Sequence, residues 1–418
     1  MIVVLFTSSY PYGSAREQTF IEPELEALKS RFRKVIIVPK TMDGLLRIPP
    51  GIDVDKSYST FLRSTNKIGA VLKISSSTFF YQDLLSNPRI WTKSSALRRL
   101  AGYVASAHLT QEWVESWFKE RSVVDDDVVF YTYWFDSATL GVGLARRKFP
   151  RLKLVSRAHG YDLYEDRYPV PYLPCRSQAF KVTDAVFPDS YAGEAYLKKR
   201  YPNFQDKFET ALLGVEEGRE ESPASHDGIF RIASCAVIRP VKRIDLILDG
   251  LKYAAEIRPA QRFEWHHFGN GELPGVRESM QKRADETLPL NARAYFPGYS
   301  SQPKLYDFYC ENPVDVFVNT SESEGTPVSI MEAISCGIPV IATAVGGNRE
   351  IVTSQNGLLL GEDPKPEDVA QALFWYIDHP VEAQAKRTGS RLLWQERYNA
   401  RRNFEVFADR LITIRSME

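Results

Sequence analysis

Several things are scarce in this chain, and each scarcity excludes something. Its 418 residues hold four cysteines, Cys175, Cys235, Cys310 and Cys336, which stand far apart. They form no C-x-x-C pair and no Cys/His cluster, so nothing suggests zinc, and they are too few for a disulfide framework. A reduced, cytosolic setting fits. Net charge is also missing, since 53 basic residues balance 53 acidic ones. With nothing global to gather phosphates, a nucleic-acid partner is not expected. No run reaches the roughly 18 apolar residues that a membrane span needs. The opening "MIVVLF" is short, lacks a basic leader and runs straight into polar "TSSYPYGS". It reads as a first strand rather than a signal peptide. There is no internal repeat and no low-complexity tract.

What is present is a packed globular composition, 44% apolar and 12% aromatic, in a chain long enough for two domains of roughly 150 to 200 residues. Short β-branched runs alternate with helical spacing almost throughout. Strands are expected at 2–6, 34–40, 128–134, 153–159 and 185–190, and again at 230–238, 263–269, 292–298, 315–321 and 339–344. Helical patterns such as "IEPELEALKSRF" (21–32) and "RIDLILDGLKYAAEI" (243–257) lie between them. This β-α-β-α rhythm, played twice, is the pattern of two parallel sheets covered on both faces. The polar stretch "GVEEGREESPASHDG" (214–228) breaks the two series and reads as a linker. Sheets of this kind bind ligands at the carboxyl ends of their strands.

Between Lys56 and Arg99, eight basic residues face one acid, Asp83, among "TFF", "IW" and several leucines. A charge run is usually a solvated face. The other reading is a basic, apolar surface that rests on anionic lipid or holds an anionic acceptor. The Asp-x-Asp tripeptides at 53–55 and 125–127 are too short a pattern to argue for a metal.

The stretch "SESEGTPVSIMEAISCGIPVIAT" (321–343) carries the most chemistry. It follows the strand "DVFVNTS" and opens a helix, with Thr326 as a candidate N-cap and Pro327 suited to the first helical position. The helix should run over 328–335 and stop near Gly337. Glu324 then lies on the loop and Glu332 one to two turns inside the helix. A helix start with two carboxylates can hold an anion and accept hydrogen bonds from hydroxyls, the groups of a nucleotide sugar.

"SESEGTPVSIMEAISCGIPVIATAVGGNREIV" (321–352) resembles the signature of retaining glycosyltransferases of family four. That resemblance implies a GT-B fold: two Rossmann-like, doubly wound α/β domains facing a central cleft, with a C-terminal helix crossing back. The division it implies is 1–213 for the acceptor, 214–229 as linker, 230–390 for the donor and 391–418 for the crossing helix. By the same resemblance Glu332 holds the donor ribose, while Glu324, Gly325, Thr326 and Pro327 address the donor sugar and its phosphates. Gly346 and Gly347 would close the loop after the next strand. "SRAHGYDLYE" (156–165) is similar to the family's His-Gly loop and puts His159 beside the transferred sugar. "HFGNGEL" (267–273) resembles its Gly-x-Gly turn, with Gly269 and Gly271 near the base, and Gly13 falls in the first strand-to-helix loop.

One departure stands out. Lys242 falls on the family's diphosphate lysine, but the arginine position is occupied by Val237, with Arg239 and Arg243 nearby. Arg239 is the expected substitute. The implied activity is metal-independent transfer, with retention, of a sugar from a nucleoside diphosphate, UDP favoured over GDP. The implied acceptor is a saccharide or lipid-linked saccharide of surface polysaccharide synthesis. No cofactor is called for, and the expected setting is cytoplasmic or peripheral at the inner membrane face. Because of Val237, a degenerate transferase kept as a donor-binding or scaffolding subunit is the alternative. Epimerases of similar fold lack the paired glutamates, and phosphorylases need a pyridoxal-phosphate lysine pocket not identified here.

Overall fold

The computed structural model describes residues 1–13, 17–65, 73–218 and 220–416. It divides into two compact units, Met1–Leu213 with Arg401–Glu418, and Gly214–Ala400. Unit 1 holds one six-stranded sheet: β1 (Ile2–Thr7), β2 (Lys34–Pro39), β3 (Asp53–Val54), β4 (Val128–Thr132), β5 (Lys153–Ala158) and β6 (Ala185–Pro188). Unit 2 holds another: β7 (Ile229–Cys235), β8 (Arg262–Phe268), β9 (Ala292–Gly298), β10 (Val316–Asn319), β11 (Val340–Thr343) and β12 (Gly357–Leu360). The orders are β3-β2-β1-β4-β5-β6 and β12-β11-β10-β7-β8-β9, and every pair of neighbouring strands is parallel.

Both orders are the same doubly wound arrangement, reversing direction between the first and fourth strands of each unit. The central strands β1, β4, β10 and β11 are buried at every residue, as helices on both faces require. Strand β9 lies at an edge and alternates buried with exposed. Sequence patterning places ten of the strands; β3 and β12 are additions, the first only two residues long. The helix expected at 21–32 covers Gln18–Arg31, and that at 243–257 covers Ile244–Ile257.

Two boundaries differ from the sequence reading. The stretch taken as a linker belongs to unit 2, where Val215 pairs with Asn399 and accepts a bond from Trp394 Nε1. The chain returns to unit 1 only at Arg401, on helix Ala400–Ser416, rather than at 391. There Phe407 meets Tyr131 and Phe187 edge-on. No helix among the described residues is long and apolar enough to cross a membrane.

Candidate functional site

In unit 2 the direction of the sheet reverses between β7 and β10, so the loops after these strands diverge and leave a crevice. The loop after β7 makes a 3₁₀ turn, Pro240–Lys242, and the loop after β10 carries Glu324. Lys242 Nζ lies 2.6 Å from Glu324 Oε1, joining the two loops across the reversal. Glu324 Oε1 also accepts from Ser321 Oγ at 2.6 Å and Asn319 Nδ2 at 3.2 Å. A carboxylate so anchored keeps a defined position at the strand ends.

Arg243 is what holds the two loops in this register. Its φ of +46° is unusual for a side chain with a Cβ. Its Nε donates to Thr320 O at 2.8 Å, Nη2 to Glu362 O at 2.9 Å, and Nη1 lies 3.0 Å from Asp363. One guanidinium therefore ties together the loops after β7, β10 and β12. Arg239 is exposed, its carbonyl accepts from Lys242 N at 2.9 Å, and its side chain makes no hydrogen bond or ion pair among the described residues; Val237 nearby is exposed too.

The helix after Glu324 spans Val328–Ser335, with Pro327 at its cap. This corrects the assignment of Thr326 as N-cap. Pro327 has an extended ψ of 99°, so the helix opens one residue later, and Thr326 Oγ1 is buried without a partner instead of capping. Glu332 sits midway along that helix, 6% exposed, and accepts from Gln302 Nε2 at 2.8 Å. Burial pushes its carboxyl up to about 7, with Gln302 opposing the shift. A buried carboxylate with no cation in contact is the environment that produces such a shift.

Glycines let the backbones close in. A Cβ on Gly346 would stand 2.0 Å from Glu324 O, and one on Gly347 1.9 Å from Gly325 O. Gly269, past β8, has φ +147°, and a Cβ there would meet Ala236 O at 1.8 Å. Gly271 bridges to Ile238. Both glycines thus lie against the loop that carries Lys242.

Within unit 1, His159 caps the four-residue helix Gly160–Leu163 after β5. Its ring lies between Tyr133 (4.8 Å, stacked) and Trp134 (4.6 Å, edge-on). Nδ1 is 3.1 Å from Asp189 Oδ2 and Nε2 is 3.1 Å from Tyr133 O, so both ring nitrogens are engaged. Asp162 receives the backbone N–H groups of His159 and Phe135, yet burial still raises its carboxyl to about 6. Gly13 donates to Leu45 O at 2.7 Å, against a neighbouring loop of the same unit.

Sequence reasoning missed four residues that shape these sites. Glu17 accepts from Ser9 N, Tyr10 N and Trp134 Nε1, joining the loops after β1 and β4. Gln302, Asp189 and Asn319 hold Glu332, His159 and Glu324. Gln302 and Glu332 are 30 positions apart, and no local pattern announces such a pairing. The Asp-x-Asp carboxylates face cations of the chain: Asp53 pairs with Lys34, Asp55 with Arg121, Asp125 with Arg151 and Asp127 with Arg33. Among the described residues, no three His, Cys, Asp or Glu are grouped to hold a metal ion.

Residues 230–379 match the family described as Glycosyl transferases group 1. The match runs from β7 to the helix Pro366–Asp378 and contains Lys242, Glu324 and Glu332. The chain is 30% identical over 140 residues to the UDP-N-acetylglucosamine--peptide N-acetylglucosaminyltransferase GtfA subunit of Streptococcus parasanguinis, covering 33% of this chain and 25% of that one. It is 28% identical over 158 residues to the lipopolysaccharide core biosynthesis mannosyltransferase LpsB of Rhizobium meliloti, covering 36% and 43%. The chain thus spans less than half the length of these curated relatives. Among solved structures, the lipopolysaccharide outer core galactosyltransferase WaaB superposes with a TM-score of 0.68 at 15% identity over 99% of both chains. Anabaena HepE in complex with UDP-glucose does so with 0.59 at 15% identity, also over 99% of both. The fold is GT-B.

Proposed function

We propose that the chain is a retaining, metal-independent glycosyltransferase that moves a sugar from a nucleoside diphosphate donor to a saccharide or lipid-linked saccharide in surface polysaccharide synthesis. The observation that carries this reading is the Lys242–Glu324 pair across the β7/β10 reversal, with buried Glu332 on the helix that follows. Lys242 offers a cation to the departing diphosphate, whose charge grows as the bond to the sugar breaks. Glu324 and Glu332 offer acceptors to sugar and ribose hydroxyls. UDP is favoured as the carrier because solved neighbours carry it, HepE among them.

In the step proposed, the C1–O bond to the donor diphosphate breaks and an acceptor oxygen bonds to C1 on the same face. The acceptor's proton passes to a leaving-group oxygen, so no enzyme nucleophile is required. His159, with both nitrogens engaged, serves this step by fixing the loop that presents its backbone. Arg239, whose exposed side chain has no partner among the described residues, joins Lys242 on the phosphates in this reading.

The lipid-linked acceptor is favoured by the surface of unit 1. Helix Thr78–Ser86 and the turn Pro88–Thr92 expose Leu85 (78%) and Trp91 (67%), next to exposed Lys93 and Arg98, while the segment's acid, Asp83, is buried and its Arg89 is paired with Glu165. Exposed aromatic and basic groups without acids suit the face of an anionic bilayer. Peripheral attachment at the cytoplasmic face follows as part of the proposal.

A scaffolding role has one observation in its favour, Val237 where the family has arginine, exposed and unable to hold phosphate. Thermal shift with UDP, GDP and their sugar conjugates in EDTA tests the donor reading. A ligand at 100 times its Kd adds roughly 2.7 kcal/mol. Stabilisation of wild type but not Glu332→Ala supports donor binding, and no response from any nucleotide overturns it. Release of nucleotide on adding an acceptor then separates enzyme from scaffold.

A further inference from the structure

Glu332 is buried, and its hydrogen-bond partner is a neutral amide. Gln302, first residue of helix Gln302–Glu311, donates from Nε2 to Glu332 Oε1 at 2.8 Å. The titratable groups facing Glu332 are Tyr306 and Tyr309 on the same helix as Gln302, Cys235 at the end of β7, and Cys336 past the end of its own helix. Burial raises all four above their ordinary values, Cys235 and Cys336 up to about 12, so they stay neutral. The cations nearby are committed elsewhere. Lys242 pairs with Glu324, and Arg391 with Glu217 and the Ser335 carbonyl. Among the described residues, one amide N–H, from Gln302, supports charge on this carboxyl, which burial pushes up to about 7.

We infer that Gln302 is a positioning residue that fixes the Glu332 carboxyl for a diol of the donor, and that donor binding draws a proton off that carboxyl. The inference rests on the reading of Glu332 as the partner of donor hydroxyls. Hydroxyls that donate to the carboxylate favour its charged form, so the bound state loses a proton that the free state holds. The proton passes to solvent. Affinity for the donor therefore rises as pH increases towards the midpoint of the free carboxyl and levels off above it. The Gln302 amide also favours the charged form, so its removal moves the whole profile to higher pH.

Calorimetric titration with UDP-glucose, UDP-N-acetylglucosamine and GDP-mannose tests this. In these donors the diphosphate is a diester with no proton titrating near neutrality. Each titration is run in two buffers of different ionisation heat, from pH 6 to 8.5. Wild type should release a proton on binding at pH 6, and almost none at pH 8.5. Its affinity should fall by close to tenfold per pH unit well below the midpoint. Gln302→Met keeps the side-chain volume without the donor, and should release protons up to higher pH and bind about threefold or more weakly at pH 7. Glu332→Gln should bind with no proton release at any pH. Binding by wild type without proton exchange over this range overturns the inference whatever the variants do. So does a Gln302→Met profile that superimposes on wild type. If none of the donors binds wild type at any pH, the donor-site reading itself fails and takes the inference with it.

Discussion

At the end of β5 in unit 1, Arg157 is completely buried and surrounded by partners. Its Nε donates to Glu24 at 3.0 Å and to Tyr131 OH at 2.9 Å, Nη1 donates to Ala211 O at 2.7 Å, and the Phe407 ring lies 4.1 Å away. Past the corresponding reversal in unit 2, Glu332 is buried with one amide, and Lys242 and Glu324 are held at the strand ends with part of their surface open. The two sheets share a strand order, but unit 1 closes its buried charge on itself while unit 2 keeps charge available. The closed cluster ties β5, helix Gln18–Arg31, the Ala211 segment and the returning C-terminal helix into one body. Identical topology therefore does not fix how buried charge is used: Arg157 on β5 meets Glu24 on a covering helix, whereas Glu332 on its helix meets only an amide among the described residues.

The strongest way to break this contrast is Arg157→Met. It strands Glu24, only 1% exposed, without its counter-ion, and should cost about 3–5 kcal/mol in urea unfolding. Replacing both, Arg157→Met with Glu24→Leu, should recover most of that loss, since no buried charge remains. A single-variant cost below about 1 kcal/mol would show that the cluster is not what secures unit 1.

Lys242→Ala probes the opposite use. Its partner Glu324 keeps Ser321 and Asn319, so the fold should lose no more than about 1 kcal/mol. Transfer, by contrast, should slow by about 10²–10³-fold in kcat/KM. Equal losses of stability and rate would erase the distinction between the units. Val237→Arg sharpens it, because an exposed arginine at that position should tighten nucleotide binding with no change in melting temperature.

The architecture was legible in the sequence because parallel strands buried on both faces write themselves as continuous apolar runs. The tenth of these, "PVIATA", falls on β11. β3 escaped because two residues carry no period, and β12 because "GLLL" is too short to tell from a helix edge. The Glu324 and Glu332 corner was legible as a motif, but its cap was not. Whether Thr326 or Pro327 ends the loop depends on the ψ angle of Pro327, 99°, which no local residue pattern specifies. Gln302 and Asp189 were invisible because each acts on a residue brought near by the fold, not by spacing, and Glu17 because its bond to Trp134 depends on the β1–β4 pairing.

Glu332→Gln tests whether unit 2 gives up stability for its open charge. The folded-state carboxyl titrates near 7, well above an ordinary glutamate in the unfolded chain. A raised value means the unfolded state loses its proton first, so this group's contribution is fully present below about pH 4 and is lost as pH rises through 7. Ligand-free Glu332→Gln should therefore be more stable than wild type at pH 8, by about 3–4 kcal/mol, and nearly equal at pH 4. His267 in the same unit runs the other way, because burial depresses it to about 4. Its contribution is present above about pH 6.5 and is lost as pH falls towards 4. The difference between wild type and Glu332→Gln, measured at each pH, cancels the histidine and isolates the carboxyl. A variant no more stable than wild type at pH 8 would mean the buried glutamate is not strained.

The smallest expected effect concerns the outside of unit 1, where Leu85 and Trp91 stand exposed beside Lys93 and Arg98. Neither residue supports the core clusters around it, so changing them should leave the unfolding free energy within about 0.5 kcal/mol of wild type. On vesicles rich in phosphatidylserine, each basic residue near the surface is worth about 1 kcal/mol. Lys93→Glu with Arg98→Glu should therefore cut co-sedimentation by tenfold or more, and Trp91→Ala by several-fold. Added salt should weaken wild-type binding in the same direction, because the attraction is screened over about 10 Å at 0.1 M. Binding that survives the charge reversal, or that ignores salt, would assign the patch to something other than an anionic bilayer.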